Sequence, residues 1–169
     1  MRDEKGFTII EIIIVVVILS SFLLVAVPRL DNFTEGNLKS GSRNLSTTIR
    51  YLYSEAAFKK KIHKLAFDID EGEYWVEVLE VDEYEVSTDP FLKKRKLPNN
   101  VSFKDIVTLR SLGISTEGKD EFILFLPSGF VEPVVIHLES NSGDVYTLAT
   151  KPYTGATAVF DEYKEILIQ

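Results

Sequence analysis

Residues 1–30 read MRDEKGFTIIEIIIVVVILSSFLLVAVPRL, and this stretch decides the architecture. From Phe7 to Val27 run 21 residues whose only polar side chains are Thr8, Glu11, Ser20 and Ser21. As a helix rising ~1.5 Å per residue, the run is about 31 Å long, against a hydrocarbon core of roughly 30 Å. Isoleucine and valine dominate it, yet in lipid the helix is the form that satisfies its own backbone. Pro28 closes the run, with Arg29 at the expected interface. The anomaly is Glu11. A carboxylate deep in such a segment costs ~2.5–3.5 kcal/mol, so something must offset it.

An ordinary cleaved signal peptide fits poorly. The leader MRDEK balances two basic against two acidic side chains, the run is too long for an h-region, and no A-x-A-like site follows. A plain membrane anchor accounts for everything except Glu11.

The 169 residues suffice for one domain plus an appendage, and the net charge of −7 argues against a surface built for phosphates. With no cysteine there is no disulfide, thiolate nucleophile or Cys-based metal site. His63 and His137 lie far apart, and HExxH, GxSxG, GxGxxG and GxxxxGK[ST] are all missing. The expectation is a protein without catalytic, cofactor-binding or metal-binding residues.

Leu38, Leu45, Ile49, Leu52 and Ala56 recur at helical spacing, which predicts an amphipathic helix over about 30–61, joined to the first through a bend at Pro28. Gly36 and Gly41 weaken its start by about 1 kcal/mol each relative to alanine. Lys59, Lys60 and Lys61 belong to its last turn, where they complement the helix dipole. Beyond Ile62 the texture is that of strands. HKLAFDID and EYWVEVLEV flank a turn at Glu71-Gly72, with Tyr74, Val76 and Val78 on one face. Residues 80–100 read as an exposed loop with at most one short edge strand, its Lys93–Lys96 cluster solvated or docking an acidic partner. Further strands are expected at 101–103, 107–112, 122–126, 134–139, 145–149 and 156–160, with EILIQ closing an edge. The fold class is α+β: a long amino-terminal helix packed on an antiparallel β head.

DIDEGE (Asp68, Asp70, Glu71, Glu73) lacks the spacing of a calcium loop and reads as a hairpin turn; EGKDE at 117–121 reads as a charged loop. His63 and His137 read as packed or surface histidines, and Phe67, Trp75, Phe103, Phe125 and Phe130 as core.

A polar leader ending in Gly6, then Phe7, then Glu11 as fifth residue of the apolar run, resembles the class III signal of type IV pilins and type II secretion pseudopilins. The resemblance implies cutting between Gly6 and Phe7 by a prepilin peptidase and N-methylation of Phe7. It also implies a division into leader 1–6, transmembrane and filament-core helix 7–29, amphipathic helix 30–61 and periplasmic head 62–169. Cleavage would create an ammonium on Phe7, with an ordinary pKa of ~7.7–8.0. Packed against Glu11 of a neighbouring subunit, it would offset the carboxylate's cost, making Glu11 an assembly-register group.

SEAAFKKKIHKLAFDIDEGEYWVEV and FILFLPSGFVEPVVIHL, the latter with Pro127, Gly129 and Pro133, resemble H-type minor pseudopilins, the GspH/FimT-like family. That likeness implies a minor pseudopilin of a type II secretion system, anchored in the bacterial inner membrane with its head in the periplasm. Implied partners are the prepilin peptidase, other major and minor pseudopilins, the inner-membrane secretion platform, and lipid before assembly. Nucleic acid is not expected, because the tail GATAVFDEYKEILIQ has no arginine, unlike the DNA-binding pilus members. The alternatives are a minor type IV pilin for pilus initiation or adhesion, and a single-pass anchored periplasmic binding domain.

Overall fold

The computed structural model describes residues 8–110 and 121–168, and the side chains of 23–35 lie outside the described set. Helix α1 is Ile9–Lys59. The chain divides into two compact units, Met1–Phe33 and Thr34–Gln169.

In the first unit the helix starts on a cap visible in the sequence as Thr8-x-x-Glu11. The Glu11 N–H donates to Thr8 Oγ1 at 3.3 Å and to the Thr8 carbonyl at 3.1 Å, and Glu11 stands in the first turn. Ser21 returns its hydroxyl to the Val17 carbonyl at 2.8 Å, so a polar residue in an apolar helix stays satisfied. Pro28 is helical in backbone, and its side chain lies outside the described set; the bend expected there therefore does too.

In the second unit, Leu38, Leu45, Ile49, Leu52 and Ala56 are all fully buried, so the periodic stripe is the face that packs on the sheets. Gly41 has a packing reason: a Cβ there would meet Pro98 Cδ at 3.2 Å. The helix stops at Lys59, and Lys60 turns the chain with φ of +56°. Only Lys59 of the lysine run is in the last turn.

The strands are β1 (His63–Asp68), β2 (Glu73–Glu80), β3 (Glu83–Val86), β4 (Arg95–Lys96), β5 (Val101–Thr108), β6 (Glu121–Leu126), β7 (Phe130–Val131), β8 (Val134–Ser140), β9 (Val145–Thr150) and β10 (Thr157–Phe160). They form one sheet ordered β3-β2-β1-β6-β7, with β4 pairing β2, and a second ordered β10-β9-β8-β5. All pairings are antiparallel. The core joins the helix stripe to Leu65, Phe67, Tyr74, Val76, Ile123 and Phe125 of the first sheet and to Phe103, Ile106, Ile136, Leu138 and Leu148 of the second. An edge-to-face contact of Phe67 with Phe103, centroids 5.5 Å apart, links the sheets.

Four local expectations change. Residues 80–100 hold two short strands and a 3-10 turn (Pro90–Leu92), and they send Leu92 and Leu97 into the core. The strands expected at 101–103 and 107–112 are the single strand β5 with an irregularity between Phe103 and Asp105; residues 111–120, including most of EGKDE, lie outside the described residues. Trp75 and Phe130 are only partly buried: Trp75 alternates outward from Tyr74 and Val76 and donates its Nε1–H to Glu77 Oε1 at 2.8 Å. Among the described residues, the tail beyond β10 forms no strand. Thr147 Oγ1 donates to the Glu162 carbonyl at 2.7 Å and accepts from the Lys164 N–H at 2.9 Å, clipping the tail to the second sheet through a side chain.

Candidate functional site

Gly6 and Phe7 lie outside the described residues. Glu11 is described and exposed, at the capped start of α1. Around it every large apolar side chain from Ile9 to Leu19, and Phe22, is exposed, the least of them still 49 % open. Consecutive positions cover every side of a helix, so this segment has no single face to pack and suits lipid or other helices on all sides. Burying these side chains is worth on the order of 10–20 kcal/mol. That outweighs the few kcal/mol that Glu11 costs in an apolar medium. Among the described residues, no helix is long and apolar enough to cross a membrane.

The head holds a cavity of about 650 Å³ at the carboxy-terminal end of α1, lined by Tyr51, His63, Val78, Glu85, Asp89 and Phe91 among others. Asp89 is largely committed: its Oδ1 accepts from Phe91 N–H at 2.9 Å, and its Oδ2 accepts from Tyr51 OH at 3.3 Å and faces Lys59 at 3.6 Å. The Phe91 N–H above all, with Tyr51 and Lys59, holds the Asp89 carboxyl below its usual range. Lys59 pairs with Glu55 at 2.6 Å and Lys61 with Glu80 at 2.5 Å.

His63 is fully buried. Its Nδ1–H donates to the Lys61 carbonyl at 3.1 Å, while Nε2 finds no partner among the described residues. A buried acceptor without a donor costs about 1–3 kcal/mol. Burial chiefly lowers the His63 pKa, Lys59 and Lys61 add to that, and the Lys61 carbonyl and Glu55 oppose it. The folded chain therefore binds fewer protons here than the unfolded chain, so stability rises with pH through this window. The His63 contribution is complete above the unfolded value of ~6.5 and is lost as pH falls from there toward the lower folded value. Denaturant unfolding at about pH 7.5 and about pH 5.5 should find the chain weaker at the lower pH, with part of that difference missing in His63→Gln. An unchanged difference in that variant would remove His63 as the cause.

His137 is a second buried histidine, on the other sheet. Its Nδ1 is 2.5 Å from Asp105 Oδ1, its Nε2 is 3.2 Å from the Lys164 carbonyl, and its ring stacks on Tyr163 with centroids 4.1 Å apart. Nδ1 is thus engaged with β5, and Nε2 and the ring face hold the tail. The histidines do not converge, and no group of three His, Asp or Glu among the described residues could hold a metal ion. In DIDEGE, Asp68 Oδ1 accepts from the Glu71 N–H at 3.0 Å and closes the hairpin. The basic loop is largely paired: Lys94 with Glu73 at 2.5 Å, Lys96 with Glu71 at 3.6 Å, and Arg95 with the Phe91 carbonyl at 3.1 Å. Arg95 donates to a neutral carbonyl and so keeps its charge, and the Lys96–Glu71 pair is exposed at both ends.

An amino-terminal apolar helix with a carboxylate in its first turn, and a head of one helix on two antiparallel sheets, define a pilin-like chain. Residues 1–27 match the prokaryotic N-terminal methylation motif. The fold is similar to two structures of the minor pseudopilin EpsH from the type II secretion system of Vibrio cholerae. One is 15 % identical over 74 % of this chain and 97 % of that one, with a TM-score of 0.58. The other is 12 % identical over 78 % and 98 %, with a TM-score of 0.60. At such identity the likeness is one of fold. No curated protein matches the chain. The motif marks the amino terminus as that of a prepilin-like chain, and the head shares the pilin-like α+β fold.

Proposed function

We propose that this chain is a minor pseudopilin of a type II secretion system, assembled into a periplasmic pseudopilus that drives protein export. The observation that carries the reading is the methylation motif over residues 1–27 on a chain whose fold is that of a minor pseudopilin. In this reading a prepilin peptidase cuts between Gly6 and Phe7 and the new Phe7 amine is methylated. Residues 7–27 hold the precursor in the inner membrane, with the head in the periplasm. The same segment then packs among the helices of other pseudopilins, and Glu11 sets its register. The inner-membrane secretion platform and membrane lipid are its partners before assembly.

The extracellular proteome of a strain lacking the gene, with and without complementation, tests the reading. Specific folded exoproteins should accumulate in the periplasm and be released on complementation. Intact secretion together with lost surface pili would assign the chain to a type IV pilus instead.

Processing has its own test. Gly6→Ala adds a Cβ at the residue before the cut and should leave the precursor uncleaved, migrating above the mature form on a gel. Normal cleavage of that variant would count against the peptidase assignment.

A further inference from the structure

We propose that the cavity at the carboxy-terminal end of α1 is a receptor for an arginine side chain of a second protein. The inference deepens the assembly reading above by giving the head a contact of defined chemistry.

The register supplies the geometry. His63 pairs across β1 and β2 with Val78, and Val78 pairs across β2 and β3 with Glu85. Directly paired residues share a face, so the three side chains stand in one row, and all three line the cavity. With strands ~4.8 Å apart, His63 and Glu85 are about 10 Å apart at the backbone. At one end of the row is a buried nitrogen acceptor, because the Nδ1–H of His63 is already given to the Lys61 carbonyl and Nε2 has no donor among the described residues. At the other end is the exposed carboxylate of Glu85, which has no ion-pair partner among the described residues.

Both lysines of the lining are already paired. Lys59 is held by Glu55 and Asp89, and Lys61 by Glu80. With one lysine shared by Glu55 and Asp89, the site keeps a net negative charge, and the unpaired Glu85 carboxylate and the His63 lone pair both call for N–H donors. The apolar part of the lining suits the stem of the same residue: Phe91 and Val86 are 68 % and 61 % exposed, and Phe91 lies 6.0 Å from the Tyr51 ring. Arginine combines an aliphatic stem with a planar fork of five donors that can stack on an aromatic ring. Its fork can address two acceptors separated by a valine. A lysine ammonium is a point charge and reaches one of them.

The test uses the full chain in detergent micelles, with 15N-labelled histidine, titrated with N-acetyl-arginine N-methylamide. A saturable shift of the His63 Nε2 resonance is expected, and the uncharged citrulline analogue should not produce it. Glu85→Gln, at an exposed position, should weaken binding about two- to fivefold, the range of an exposed ion pair. In His63→Phe, which removes the labelled reporter, binding is read by titration calorimetry and should no longer be saturable. The proposal is overturned by the lack of a saturable shift, by equal binding of the citrulline or lysine analogue, or by wild-type affinity in Glu85→Gln. Such a result leaves cleavage and the secretion phenotype as they were, so the two readings fail separately.

Discussion

Replacing Glu11 by leucine is expected to leave the precursor as well inserted as the wild type, or better, and to keep it out of the filament. The two effects have opposite signs because the carboxylate sits in two environments. In lipid the charge costs ~2.5–3.5 kcal/mol, so its removal favours the membrane. In the proposed filament, Glu11 of one subunit would face the Phe7 ammonium of another, and removing one partner of a buried pair costs about 3–5 kcal/mol. At ~1.4 kcal/mol per factor of ten, incorporation should fall on the order of a hundredfold or more. The local role of Glu11 is smaller. The cap is a backbone N–H on Thr8 Oγ1 and survives the substitution; only the favourable charge at the helix start is lost, about 0.3–1 kcal/mol. Thr8→Ala is therefore the control, since it removes the side-chain cap and keeps the charge. Fractionation into membrane and sheared filament, probed for this chain, reads both variants. Wild-type incorporation of Glu11→Leu would sink the pairing argument, and equal loss in Thr8→Ala would move the role from charge to helix capping.

The parts of this fold that are legible in the sequence are those carried by a period. The stripe from Leu38 to Ala56 repeats over five helical turns, and each member is buried. The β1–β2 hairpin shows in the alternation of Glu73–Val76, where Tyr74 and Val76 are buried, and its turn glycine has φ of +66° as a tight turn requires. What escapes is carried by single residues. Leu92 and Leu97 are isolated apolar side chains in a polar stretch, so no period marks them, yet both close the core. The tail is held by Thr147 and His137, two polar side chains on β9 and β8, and a clip of that kind has no pattern along the chain. Of the candidate site, the apolar run and its carboxylate are plain to read, and the Thr8-x-x-Glu11 cap was available as a spacing signal. The row of His63, Val78 and Glu85 was not, because it exists only once the strand register is known.

Tyr53 identifies the position in the head where one added methyl should do most damage. Its OH donates to the Tyr153 carbonyl at 2.9 Å, and its ring fills the space left by Gly155. A Cβ on Gly155 would lie 2.3 Å from Tyr53 Cγ, and φ there is +61°. Gly155→Ala thus combines left-handed backbone strain of ~1–2 kcal/mol, a displaced aromatic ring and a lost hydrogen bond worth ~1 kcal/mol. The expected destabilisation is about 3–4 kcal/mol, or a fall in Tm of roughly 10 °C for a unit of this size. Gly143 separates the causes: its φ is +90°, and a Cβ there meets nothing within 4 Å. Gly143→Ala should therefore lose only the strain. In the double variant Tyr53→Ala/Gly155→Ala the ring is gone, so the two losses should fall well short of adding. Thermal unfolding of the full chain in detergent reads these three variants together with Tyr53→Ala alone. Equal losses at Gly143 and Gly155 would mean that backbone strain alone decides, and that Tyr53 yields without cost.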